Sequence, residues 1–364
     1  MSVDRSLIAP TSKPLLEGAL REKLLRRAEA TGSLGELEPL AIRLGLMQNT
    51  LKPRFRDPQL VVFAADHGLA VDGIVTPHRR KTHEQVTQLL TGQLPVSVFA
   101  RIQGLELSAV DCGVAEMVAP HDHLIRRKIA HGTRNARVGP AMSVEQAHAA
   151  IRAGMEIGDT LRGNMVAVAG IGVGAHESAA LVLSRLTNSP VRDLIVSGPN
   201  MNAELLGHLM TIVQGAQSRH RDVTDPVEVL AAFGGFEVAV MVGVLLVAAS
   251  KRHLMMIDGL PACAALLVAS RIATPATDYC VFCRSHTHRG LDQALNLFRT
   301  SALLELGMES TDGTGAALAW PLVRSAAALL TEVAEGEDPG PSRPAGITTQ
   351  SAELDPPADP PTTV

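Results

Sequence analysis

The chain has 364 residues, 46% of them hydrophobic, 19% charged and only 2% aromatic, with a formal net charge of −4. That is enough apolar material for one large core or two smaller ones, built from Ala, Val, Leu, Ile and Met. A slightly acidic chain without a basic block excludes nucleic acid and an anionic membrane surface as partners, but not a phosphorylated small molecule, which needs only local donors.

Residues 1–16 are polar and proline-broken, so they do not read as a secretory leader. Residues 1–57 read as mainly helical. In "SLGELEPLAIRLGLMQ" Ser33 is the expected N-cap, Glu36 its reciprocal partner, and Leu37, Leu40, Ala41 and Leu44 share one face. Short apolar runs ending in Gly or Asp follow: 60–68, 105–114, 165–174, 194–198, 253–260 and 278–282. Helical patterns lie between and after them, at 84–101, 143–160, 176–187, 201–216, 226–250, 261–272 and 313–330. The runs are continuous in Val, Ile, Leu and Ala rather than alternating. That predicts an α/β fold, a mostly parallel sheet covered by helices on both faces, with an N-terminal helical region. The expected organisation is 1–57 as part of a smaller helical subdomain, 58–335 as the α/β domain, and 336–364 as a disordered Pro-rich tail. The apolar run at 238–250 is too short to span a membrane, and four cysteines do not make a disulfide scaffold. The expected location is therefore the cytoplasm.

In parallel sheets ligands bind beyond the carboxyl ends of the strands, and the Gly and acid residues cluster there. "GIGVGAHES" places Gly170, Gly172 and Gly174 where backbone amides and a helix N-terminus can meet an anion. It is neither a Walker A motif nor a clean dinucleotide fingerprint, and a tight strand-to-helix turn explains it equally well. "HGTRNARVGPAM" offers Gly132, Thr133, Arg134 and Asn135 to phosphate or ribose, or is a solvated connection. Asp66 and His67 of "ADHG" suit acid–base work or simply fix a turn. "DYCVFCRSHTH" carries Cys280, Cys283, His286 and His288, the right ligand types for zinc, though buried apolar cysteines are the plainer reading. In 224–249 a series of small residues favours core or a subunit interface, and Glu237 is an acid in an apolar helix that needs a partner. Finally, "DGTGAALAW" sets Asp312 before Gly313 and Gly315 at the start of a helix.

Together these stretches resemble the nicotinate-nucleotide–dimethylbenzimidazole phosphoribosyltransferases of cobalamin biosynthesis. "GSLGELEPLAIRLGLMQ", "VVFAADHGLAVDGI", "VDCGV", "GTRNARVGPAMSVEQA", "DPVEVLAAFGGFEVAVMVG", "MIDGLPACAALLVA" and "DGTGAALAWPLV" match in order over roughly residues 30–335. The resemblance implies transfer of phosphoribosyl from nicotinate mononucleotide to a benzimidazole-type base, with no cofactor and a homodimeric enzyme. A ring nitrogen attacks the anomeric carbon, nicotinate leaves, and α-ribazole 5′-phosphate forms. The family's general base, a Glu before Gly-Thr-Gly, falls on Asp312. Phosphate and ribose contacts fall on Gly170, Gly172, Gly174, Gly132, Thr133, Arg134, Asn135, Gly313 and Gly315, and base contacts on Asp66, His67 and Gln88. The chain departs from the family at Asp312. It also departs at Val168, where the family has an acid, and at Val173, Gly174 and Ala175, where it has Asn-Thr-Thr. Further departures fall at 75–78, at Glu84 and Gln88, at 283–287, and at an expected lysine for which only His208 is nearby. The alternative reading is a non-catalytic paralogue that binds a nucleotide or a benzimidazole-like ligand.

Overall fold

The computed structural model describes residues 8–27, 32–74, 80–196, 203–284, 289–310 and 312–335. Helices α1 (Pro14–Leu25) and α2 (Leu37–Gln48) lead into strand β1 (Gln59–Ala65). Helices α3 (Thr82–Leu90) and α4 (Pro95–Ile102), strands β2 (Glu106–Gly113) and β3 (Leu124–Arg126), and helix α5 (Val144–Thr160) follow. Next come β4 (Met165–Ile171), α6 (Ala175–Thr187), α7 (Val191–Ile195), α8 (Ala203–Arg219), α9 (Pro226–Phe233) and α10 (Phe236–Ser250). The chain continues with β5 (Leu254–Asp258), α11 (Gly259–Ile272), β6 (Cys280–Phe282), α12 (Arg289–Leu297) and α13 (Thr314–Thr331).

The described strands form one six-stranded sheet in the order β3-β2-β1-β4-β5-β6, every pair parallel. Every residue of β4 and β5 is buried, as continuous apolar strands covered on both faces must be. α10 and α11 lie on the face to which Gly170 turns, against Met241 and Pro261. α3, α4 and α13 cover the other face, to which Leu60 points. The strand order reverses between β1 and β4, which are neighbours in space but not in sequence. That switch point opens a crevice at their carboxyl ends, the place where open α/β sheets hold ligands.

The N-terminal helices do not stand apart. α1 and α2 pack on α13, and Arg252 donates to the carbonyls of Leu46 and Met47 at 2.8 Å each. Tyr279 Oη donates to the Ala9 carbonyl at 2.6 Å.

Several expectations are corrected. Ser33 does not cap α2; the helix begins at Leu37 after Glu36. Ser33 Oγ instead donates to Glu38 Oε1 at 3.1 Å, and the same oxygen accepts from Leu34 N. The run at 194–198 is not a strand where it is described: α7 covers Val191–Ile195, because a short apolar run after a proline suits a buried helical turn equally well. The pattern at 84–101 is two helices, broken by "TGQLP" (91–95). The short edge strand β3 lies outside the expected apolar runs. The tail at 336–364 lies outside the described residues.

Candidate active site

Asp66, just past β1, joins four segments. Its Oδ1 accepts from Thr82 Oγ1 at 2.5 Å and its Oδ2 from Ala115 N at 2.7 Å. Its carbonyl accepts from Thr133 N at 3.0 Å, while Thr133 Oγ1 accepts from Gly68 N at 3.2 Å. Thr82 Oγ1 in turn accepts from Val173 N at 3.1 Å, which ties the glycine loop to the same cluster. Both carboxylate oxygens of Asp66 are thus engaged in holding these segments together.

His67 and Glu237 lie fully inside. Nε2 and Oε1 are 3.1 Å apart, although among the described residues neither Glu237 oxygen has an aligned hydrogen-bond partner. Burial pushes the His67 pKa down. Glu237, helped by Asp66 and Glu177, outweighs that and holds it above its ordinary value. This is the partner Glu237 needs.

The glycine loop leaves β4. Gly172 has φ 154°, and a Cβ there would sit 1.8 Å from the Ala65 carbonyl oxygen, so no other residue fits. Gly174, at φ 89°, occupies the N-cap of α6, leaving the first amides of that helix without a capping side chain. In the first turn Glu177 is buried with Oε2 unpartnered among the described residues, and Ser178 Oγ donates to the Phe233 carbonyl at 2.6 Å.

The neighbouring loop is largely engaged with itself. Arg134 is exposed and its Nε donates to the Pro140 carbonyl at 3.1 Å. Asn135 Nδ2 donates to Asp72 Oδ2 at 2.9 Å, and Arg137 N donates to Asn135 Oδ1 at 2.9 Å. Gly132 turns against the Asp66 carbonyl. Gln88 is half-buried on α3, nearly two turns beyond Thr82. His208 Nε2 lies 3.0 Å from the Asp72 carbonyl oxygen. The altered segment at 75–78 lies outside the described residues.

Asp312 holds the entrance to α13. Its Oδ1 accepts from Thr314 N at 3.1 Å and from Thr314 Oγ1 at 2.6 Å, while Oδ2 makes no hydrogen bond among the described residues. Gly313, at φ 96°, and Gly315 bring the helix start down onto Leu60 and Asp258. Asp258 ends β5 and pairs in register with Ala169 of β4, and its Oδ2 accepts from Ala316 N at 3.1 Å. The start of α13 therefore packs on the end of β5, the strand beside β4, while Gly313 meets Leu60 near the amino end of β1.

Three features escaped the sequence reading: Thr82, which belongs to no motif; the Lys128–Asp111 pair at 3.2 Å; and the fully buried Asp258–Arg284 pair at 2.7 Å. The last had a signal, an arginine two residues after an apolar strand with an acid ending the neighbouring strand. Cys280 and Cys283 are buried, and burial raises both thiols. His286 and His288 lie outside the described residues, among which no group of three or more His, Cys, Asp or Glu is placed to hold a metal. A cleft of about 430 Å³ lined by Arg54, Phe55, Arg56, Trp320 and Arg324 lies at the opposite edge of the sheet, away from this cluster.

Comparison with known proteins fits this geometry. A family model described as "Phosphoribosyltransferase" matches residues 9–340. A nicotinate-nucleotide–dimethylbenzimidazole phosphoribosyltransferase of Cupriavidus taiwanensis is 40% identical over 325 residues, covering 88% of this chain and 93% of that one. The chain belongs to the nicotinate-nucleotide–dimethylbenzimidazole phosphoribosyltransferase family. A protein of the same name from Variovorax paradoxus is 37% identical over 344 residues, 93% of this chain and 99% of that one. The crystal structure of the phosphoribosyltransferase of this name from Thermus thermophilus superposes with a TM-score of 0.81 at 29% identity, covering 88% of this chain and 96% of that one. Membership makes the chain an enzyme of the pentosyltransferase class, and among the described residues no helix is long and apolar enough to cross a membrane.

Proposed function

We propose that this phosphoribosyltransferase moves the phosphoribosyl group of nicotinate mononucleotide onto a benzimidazole-type base, with Asp312 as the general base. The supporting observation is the placement of Asp312: one oxygen accepts from Thr314 at the start of α13, the other has no partner among the described residues, and the helix start sits on β5 beside the strand that delivers the glycine loop. The amides of Gly170, Gly172 and Gly174 and the N-terminus of α6 receive the phosphate, whose charge the helix dipole favours. Gly132, Thr133, Arg134 and Asn135 border the ribose, Gly313 and Gly315 let the backbone approach it, and Asp66, His67 and Gln88 border the acceptor base. As the ring nitrogen attacks the anomeric carbon and nicotinate departs, Asp312 takes the proton the acceptor must lose. No nucleic acid takes part, and the enzyme works in the cytoplasm as a homodimer.

Asp312→Asn keeps the volume and removes the basicity. Incubated with nicotinate mononucleotide and 5,6-dimethylbenzimidazole, the variant should release nicotinate about a hundredfold to ten-thousandfold more slowly, the range of a lost general base. Affinity for the nucleotide should be retained. Wild-type turnover in Asp312→Asn removes the residue from this role.

A further inference from the structure

We infer that Arg284 and Asp258 are positioning residues for the carboxylate of Asp312, an inference that rests on the assignment of Asp312 as the general base. Arg284 follows β6 and is 2% exposed, while Asp258 ends β5 with no exposure at all. The guanidinium makes three separate contacts. Nε donates to Asp258 Oδ1 at 2.7 Å, one terminal nitrogen to the Met308 carbonyl, and the other to the Ser310 carbonyl. Asp258 then accepts, on its second oxygen, the amide of Ala316.

These contacts bracket Asp312. Met308 and Ser310 precede it, Ala316 follows it, and all three are tied to the same ion pair. The pair itself is anchored in rigid structure: β5 and β6 are neighbours in the sheet, Cys283 N donates to the Ile257 carbonyl at 3.1 Å, and Leu304 N to the Cys283 carbonyl at 3.1 Å. One planar fork thus carries the position of two sheet strands to the segment that bears the base.

Stability alone is a poor reason for such a pair. Desolvating two charges offsets most of their attraction, and well-packed apolar residues would serve equally well. The electrostatics agree with a functional reason. Burial raises the Asp258 pKa, Arg284 and the Ala316 amide counter it, and Asp312 raises it further, so the two carboxylates act on each other through space.

The test uses the full chain with nicotinate mononucleotide and 5,6-dimethylbenzimidazole, comparing kcat, KM and melting temperature. Arg284→Lys keeps a cation for Asp258 but cannot serve the two carbonyls in the same plane. Asp258→Asn keeps an acceptor for the Ala316 amide and removes the charge that orients Arg284. In each variant kcat should fall about tenfold to a hundredfold, the cost of a displaced catalytic group, with KM for the nucleotide unchanged. Unchanged kcat in both overturns the inference. So does a loss of kcat and affinity in step with melting temperature, or a failure of both variants to fold, because the pair would then be structural. Asp312→Asn, assayed alongside, separates the two claims. If it is inactive while Arg284→Lys is fully active, the base stands and the positioning role falls. If Asp312→Asn turns over normally, the base assignment itself has failed.

Discussion

At the residue scale the sharpest consequence concerns His67 and Glu237. Both are named by motifs, "ADHG" and "GGFE", and both were legible as unusual: a histidine at a strand end and an acid in an apolar helix. Their pairing was not, because 170 positions separate them and only the fold brings α10 to the end of β1. The His67 pKa is raised in the folded state, so its contribution to stability is complete below its unfolded value, about 6.5, and is lost as pH rises through the folded value. Glu237→Gln removes the partner. The variant should be less stable than the parent by about 3–5 kcal/mol at pH 6, the usual cost of breaking a buried pair, and the gap should narrow steadily above pH 6.5. Urea unfolding from pH 5.5 to 9 measures it, and a pH-independent gap would show that the imidazole is not charged in the folded protein. Asp66 was legible as a residue at the ligand edge, but its role was not, since Thr82, Ala115 and Thr133 reach it from three other segments.

At the element scale, the small residues of 224–249 announced a close helix approach without saying what approaches. The structure supplies the partner from within the chain. α10 crosses α5 backbone to backbone: a Cβ on Gly243 would lie 2.0 Å from the Ile151 carbonyl oxygen, and one on Gly154 only 1.9 Å from that of Val240. The small-residue stripe is thus core, and the proposed homodimer must use another surface. Gly243→Ala forces the helices apart and should cost about 1–3 kcal/mol, the range of core overpacking, read as a lower melting temperature with KM unchanged. Full stability in that variant would mean that the crossing yields to an added methyl without cost. The same scale shows where periodicity runs out. Ser143 and Gln146 form a capping box at α5 and Asp225 caps α9, but the cap expected of Ser33 fails at α2 because Glu38 draws its hydroxyl away. The run at 194–198 failed because three apolar residues carry no period that separates a strand from a buried helical turn.

At the scale of the whole molecule, alternation of apolar strands with helices was enough to indicate a parallel sheet covered on both faces. The strand order was not legible, because nothing local in "LVVFAADHG" or "MVAVAGIGVG" states that these two runs are neighbours across a long excursion through β2, β3 and α5. Yet that adjacency creates the crevice, so the site's location follows from topology more than from any motif. The far end of the chain allows a separate test. The last described element, α13, packs on α1, α2 and α4, and Glu335 bridges back to Arg27 beside α1. Beyond it the sequence "EGEDPGPSRPAGITTQSAELDPPADPPTTV" has too few apolar residues to bury a face, and the family match ends at residue 340. If these residues add nothing to core or site, a chain ending at residue 340 should keep the melting temperature, the rate of nicotinate release and the oligomeric state of the full chain. A fall in rate with unchanged melting would place part of the tail at the active edge. A fall in melting temperature would instead extend the packing of α1, α2 and α13 beyond Glu335.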